Sequence, residues 1–478
     1  MDADDATAGR SDRRATMRFA GISNAVREIL DRLKSWKWQV FAVCAVTFVA
    51  GPAVTAFEDA RRYAGTAQSD WIPTNMWLKS AECARQEGVW LAICESDRFV
   101  PISEYSHGDD PGHALILGIW AMASDSTVTL VDVARLNAVL NIVGLVVLAG
   151  FIFALGAHVT SIVLLVLGPV AYLQWMGVSP HWGLIGAASL AMILPMTLIA
   201  RKLGRLSPRS ANACVAIGII GLALAALLRE PIGVMCLAVT LAVIGFKAVH
   251  RLQGGRRLRD LLVIAPLVLV ASAAPTWAVL ARDAWFEMEP AEHVTTHNFS
   301  HTLYIGLGAV PNTLGLEYED EVARAAVEQV APDVVSSSPE YYRILWTLYW
   351  SALADAPAEV MRIYLEKAKH ILADDILDDA PPLAIVLIVA VAHFVVLTVL
   401  GLWRRIDFYQ GALVEGAALV LIGLFIAQAI LAHHSRMFAM PIGIALLVLL
   451  GVLLESCWRA AVALLAPLRT RQVSWRQQ

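Results

Sequence analysis

Apolar residues recur in long runs from about residue 39 to the C-terminus, with a single large polar interruption late in the chain. Runs near 39–57, 134–156, 159–176, 182–200, 212–228, 231–248, 261–281, 382–402, 411–432 and 437–456 each approach the roughly 20 residues that an α-helix needs to cross a bilayer. The pattern predicts ten spans. A shorter apolar stretch over 112–123, between Asp110 and Asp125, is too short to cross and is expected to lie on or dip into one face. Ahead of it, 71–87 reads as a capped helix, with Asp70 near its N-terminus, Pro73 in the first turn and Gly88 closing it. Its Ile72, Met76 and Trp77 suit a helix lying on the membrane.

Composition agrees with the runs. Of 478 residues 58% are hydrophobic and 16% charged, and the mean hydropathy is +0.61. A soluble fold carries roughly a quarter charged residues, so the expected class is an all-α polytopic membrane protein. No cleavable signal peptide is expected, and nucleic acid is not an expected partner. With ten spans, the clusters at Arg201–Arg209, Arg251–Arg259 and Arg404–Arg405, the N-terminal arginines and the tail after Trp458 all fall on one side, which the positive-inside rule makes cytoplasmic. An eleventh span at 112–123 would put the first two clusters outside. The expected organisation is a cytoplasmic segment 1–38, a membrane module 39–281 with an outer loop 58–133, a mainly helical outer loop domain 282–381, C-terminal spans 382–456 and a cytoplasmic tail 457–478. The 282–381 loop is acidic, with 18 acids against 6 bases.

Several side chains on the expected outer side carry chemistry. Asp109 and Asp110, flanked by His107 and His113, are adjacent carboxylates, a pattern that acid–base chemistry can use and that a solvated loop also tolerates. Arg229-Glu230 interrupts an apolar stretch running from 213 to 245, and charges near a span are costly and have partners. The two could pair with each other, or Arg229 could hold a ligand anion. Arg436 follows His433 and His434 at a turn between spans. Arginines and carboxylates at one face suit an enzyme that holds a lipid phosphate and deprotonates an acceptor. His181, Glu230, His301 and His434 join His113 as side chains available to a substrate. His293, His297 and His301 recur every fourth residue, the spacing of metal ligands on a helix, but the residues between them disfavour a helix, and neither a metal nor another cofactor is expected. Cys83 and Cys94 are the cysteines placed outside; they either pair in an oxidising compartment or stay as buried thiols.

The order of these features resembles the GT-C superfamily of polytopic glycosyltransferases, which includes protein O-mannosyltransferases and bacterial aminoarabinose transferases. The likeness covers 39–249 and again 433–450. Ser69-Asp70 before the 71–87 helix looks like that family's acidic outer loop. The stretch from Asp109 to Trp120 is loosely similar to its His-Pro-Pro-Leu juxtamembrane motif, with the histidine after the proline. Ala134-Arg135-Leu136 resembles the start of its next span, Leu228-Arg229-Glu230-Pro231-Ile232-Gly233 its Leu-Thr-Lys-x-x-Gly turn, and Arg436 to Pro441 its Arg-Tyr-x-x-Pro turn. The 282–381 loop matches no motif of that family. The resemblance implies a transferase of the bacterial inner membrane that moves a sugar from a polyprenyl-phosphate donor to a lipid, glycan or protein acceptor at the periplasmic face. Asp70 would be the general base, Asp109 or Asp110 its helper, and Arg229 and Arg436 the phosphate ligands. Glu58 and Asp59, which abut the first span, stand third as bases. A transporter or flippase of a lipid-linked substrate, and a glycan ligase, are the competing functions.

Overall fold

The computed structural model describes residues 37–51, 53–55, 72–95, 98–102, 111–176, 185–202, 206–253, 259–287, 299–336, 338–373, 383–404, 409–433 and 442–460. A helix occupies each of the ten predicted segments. These are α1 (Lys37–Thr55), α4 (Leu130–Ala154), α5 (His158–Met176), α6 (Ile185–Lys202), α7 (Pro208–Leu228), α8 (Glu230–Gln253), α9 (Arg259–Ser272) with α10 (Ala274–Phe286), α15 (Leu383–Arg404), α16 (Tyr409–Leu431) and α17 (Ile442–Ala460). Six of them, α1, α4, α7, α8, α16 and α17, are long and apolar enough to cross a bilayer, and α9 with α10 makes a seventh if the bent pair is one span. The chain is an all-α, multi-pass membrane protein.

The expected single span at 261–281 is corrected in shape. It breaks after Ser272, and α10 leaves α9 at 64°. Pro275 in the first turn of α10 accounts for the break, because proline has no N–H to continue the α9 ladder and starts a helix readily.

Small residues let the membrane helices touch backbone to backbone, as packing within lipid requires. Gly144 of α4 lies directly on Gly186 of α6, and Gly218 and Gly221 of α7 lie on Leu194 and Leu190 of α6. The Asn141 side-chain oxygen accepts from the Gly186 N–H at 2.6 Å, fixing the α4–α6 register.

Polar contacts mark the two ends of the bundle. At one end Lys247 donates to the Leu198 carbonyl at 2.6 Å, Arg201 stands 3.8 Å from Asp260, and Arg459 donates to the Gly156 carbonyl at 2.9 Å. There Glu455 also accepts from the Val159 N–H at 2.5 Å, at the start of α5. At the other end lie α2 (Ile72–Glu87), α3 (Pro111–Ser124) and the loop helices α11 (Phe299–Gly306), α12 (Asp320–Val330), α13 (Pro339–Asp355) and α14 (Pro357–Ala373). The loop helices surround their own core of Leu303, Leu307, Val327, Leu345, Val360 and Ile363.

In the first loop, α2 ends where expected: Gly88 takes a positive φ of 72° and its N–H returns to the Ala84 carbonyl. The expectation that Met76 and Trp77 lie on the membrane is corrected. Both are buried against Ala114, Leu117 and Leu91, because α3 packs over α2 and takes the apolar face that lipid would otherwise cover. A small antiparallel hairpin, β1 (Ala92–Cys94) with β2 (Phe99–Pro101), adds strand to the all-helical expectation. Cys83 and Cys94 are joined by a disulfide that ties α2 to β1.

Candidate functional site

The turn between α7 and α8 is made by one residue. Arg229 ends α7 in an extended conformation, with its N–H bonded to the Ala225 carbonyl, and α8 starts at Glu230. Two features of the sequence permit so sharp a reversal. Pro231 needs no N–H partner in the first turn, and Gly233 lies against Ala226, where a side chain would meet the Ala226 backbone at 2.5 Å. Glu230 in the first turn of α8 favours the positive end of the helix dipole. Both charged residues are half-buried.

The start of α3 is seated on this turn. Gly112 abuts Leu227, and a Cβ there would fall 2.7 Å from the Leu227 carbonyl carbon. One residue on, the fully buried His113 ring stacks on Trp77 at 4.1 Å between centroids and bonds the Asn137 side-chain oxygen through Nε2 at 3.0 Å. His113 therefore locks α2, α3 and α4 together, and its ring is covered by protein.

The loop domain closes over the same end. Tyr318, just ahead of α12, lies with its ring 4.3 Å from that of His433, which follows α16. Burial pushes the Tyr318 phenol up to about 12, Asp320 adds to the rise, and Arg229 opposes it, so this tyrosine feels the α7–α8 turn electrostatically and stays protonated at neutral pH. Behind it, Asp320 is bonded to His301 Nε2 at 3.0 Å, and the Tyr341 hydroxyl to His301 Nδ1 at 3.2 Å. Burial likewise holds the Tyr341 phenol well above its ordinary value.

Lys367 of α14 fastens the loop domain to the bundle. Its buried Nζ donates to the carbonyls of Gly306 at 2.8 Å, Ala432 at 2.9 Å and Leu431 at 3.3 Å, which end α11 and α16. A cation suits the negative ends of two helices, yet burial pushes its pKa down to about 7. Gly306 lies so close to Leu431 and Ala432 that a side chain there would collide with both carbonyls.

The structure thus brings Arg229, Tyr318, Asp320, His301 and His433 to one end of the bundle, with Glu230 and His113 in the adjoining turn and helix. Of the residues singled out in the sequence, Glu58, Asp59, Asp70, Asp109, Asp110, His181, His293, His297, His434 and Arg436 lie outside the described residues. Among the described residues no group of three His, Cys, Asp or Glu side chains could hold a metal ion. Tyr318, Asp320, Tyr341 and Lys367 were missed in the sequence, because each acquires its meaning from a partner remote in the chain. An ionisable pair between the helices was missed for the same reason: the half-buried His393 of α15 and the buried Glu415 of α16 stand 2.7 Å apart. Comparison with protein-family models, with curated proteins and with solved structures finds no match to this chain.

Proposed function

We propose that this protein is a GT-C-like glycosyltransferase of the bacterial inner membrane, with ten crossings and a catalytic face on the periplasmic side, that takes a sugar from a polyprenyl-phosphate donor. The observation that carries the reading is the contact of Gly112 with Leu227. The contact sets the start of α3 beside the Arg229 turn; Asp109 and Asp110 immediately precede Pro111 in the chain, and theirs are the carboxylates we assign to that end. The half-buried Arg229 at a helix reversal suits a lipid phosphate, whose charge an arginine meets with paired N–H donors.

In the reaction, an acceptor hydroxyl attacks the anomeric carbon of the sugar and gives its proton to a carboxylate. The bond to the donor phosphate breaks, and the polyprenyl phosphate leaves with the electron pair. Asp70 is the proposed base, Asp110 or Asp109 its helper, and Arg229 with Arg436 the group that meets the leaving phosphate. Glu230, His181, His301 and His434 are the proposed substrate-side contacts. The acceptor is a lipid, glycan or protein on the same face. His113 serves to hold α3 in place.

Asp70→Asn keeps the shape and removes the basicity. It is expected to abolish sugar transfer in reconstituted membranes while leaving expression and lipid binding intact. Transfer retained in both Asp70→Asn and Asp110→Asn would exclude this mechanism. A flippase of a lipid-linked substrate is the second reading, favoured by the pairing of half-buried His393 with buried Glu415, since ionisable residues inside membrane helices commonly mark transport paths. It requires donor movement across vesicles without any glycosidic product.

A further inference from the structure

The break between α9 and α10 leaves a helix whose outward face has no partner among the described residues. Trp277, Leu280, Ala281, Ala284 and Trp285 are all exposed, and they recur at intervals of three and four residues, so they form one stripe along α10. No charged residue stands in that stripe. The charged pair of the helix is turned inward: Arg282 is fully buried, donating to the Leu91 carbonyl at 2.8 Å and to Asp283 at 2.6 Å. On the same inner side Ala278 packs with the α2–α3 core and Phe286 meets the Trp90 ring at 5.8 Å.

We infer that α10 is a membrane-surface helix whose tryptophan-flanked stripe is seated in the phospholipid interface, descending toward the hydrocarbon at its Trp277 end. Three observations choose lipid over a protein partner. First, α9, which leads directly into α10, also leaves apolar side chains uncovered: Leu262, Val263, Leu267 and Val270 are exposed on a helix of the membrane bundle. Second, α9 has 14 residues and rises about 21 Å, short of the roughly 30 Å hydrocarbon core, so a crossing that starts with α9 at the inner surface enters α10 below the outer surface. Third, α10 leaves α9 at 64°, so with α9 along the membrane normal it lies closer to the plane than to the normal, the attitude of an interfacial helix, and its tryptophans are of the type enriched at that depth. Through Arg282 and Phe286 this helix moors the disulfide-bridged first loop to the lipid surface beside the α7–α8 turn.

The test uses the full chain in phosphatidylcholine and phosphatidylglycerol vesicles, with Cys44, Cys214, Cys236 and Cys457 replaced by alanine. Nitroxide labels are placed singly through Trp277→Cys, Ala281→Cys, Trp285→Cys and, as a water-facing control in the loop domain, Val335→Cys. Oxygen is expected to relax the three α10 labels more than a water-soluble nickel complex does, with apparent depth falling from 277 to 285, and the control is expected to show the reverse. Labels at 281 and 285 as accessible to nickel as position 335 would overturn the proposal, and so would labels reached by neither reagent, which would mean that protein covers the stripe. A second measurement keeps the native cysteines. Phosphatidylcholine brominated near the headgroup should quench a fraction of the tryptophan emission that is smaller in Trp285→Phe than in the wild type, and equal quenching in both would count against the proposal.

Discussion

Gly112, the second residue of α3, is pressed against Leu227 in the last turn of α7, with room for hydrogen and no room for a methyl group. Two effects of Gly112→Ala oppose each other. Alanine favours a helix by about 1 kcal/mol over glycine, whereas overpacking against a backbone carbonyl costs about 1 to 3 kcal/mol. The contact is with backbone, which yields little, so the clash should dominate at this position. Gly112→Ala is expected to lower the melting temperature in detergent and to weaken donor binding together. A variant as stable as the wild type, with unchanged binding, would show that the seat of α3 has no bearing on the site.

Lys367 offers a pH-dependent prediction. Burial holds the folded-state value at about 7, against 10.5 for an exposed lysine. Between those values the unfolded chain binds a proton that the folded chain lacks, so stability rises with pH by up to about 1.4 kcal/mol per unit. That contribution is complete above about 10.5, is lost as pH falls toward 7, and changes no further below it. Thermal unfolding at pH 7.5 and pH 9.5 should show the wild type gaining stability relative to Lys367→Met, which has nothing to titrate there. The variant should also be less stable at every pH, because the carbonyls of Gly306, Leu431 and Ala432 lose their shared donor. Parallel pH profiles for the two proteins would mean that Lys367 keeps its ordinary value.

Much of the helical frame was legible in the chain, for identifiable reasons. The α2 helix ends on Gly88 because only a residue tolerant of positive φ closes a helix that way, and the signal is a single letter. The apolar runs are likewise read directly from composition. The break in 261–281 had its sign in Pro275, but a proline in an apolar run ends a helix in one protein and is absorbed in another: Pro169, Pro195 and Pro266 sit inside α5, α6 and α9. The stack of Trp77 on His113, the His301–Asp320–Tyr341 chain and the Lys367 clasp have no local signature. Each joins residues distant in sequence, and the pairing exists only once the helices are packed.

The proposed ten-crossing topology needs the inner ends of successive helices to share a face. Lys247 with Leu198, and Arg201 with Asp260, gather the ends of α6, α8 and α9 at the basic end of the bundle, opposite the loop domain. Reporter fusions at residues 205 and 256 should be cytoplasmic, and a fusion at residue 330 periplasmic. Finding residue 205 outside would restore α3 as a crossing and reverse the assignment.

Arg229 and Arg436 are proposed to hold a lipid phosphate at the loop-domain end of the bundle, and binding of undecaprenyl phosphate by native mass spectrometry tests this. The wild type is expected to retain one molecule. A charge-assisted contact contributes about 1.5 to 3 kcal/mol, so Arg229→Ala and Arg436→Ala should each weaken retention by about ten- to a hundredfold while the protein stays folded. Equal retention by the wild type and both variants would contradict the account and leave the two arginines as interfacial anchors.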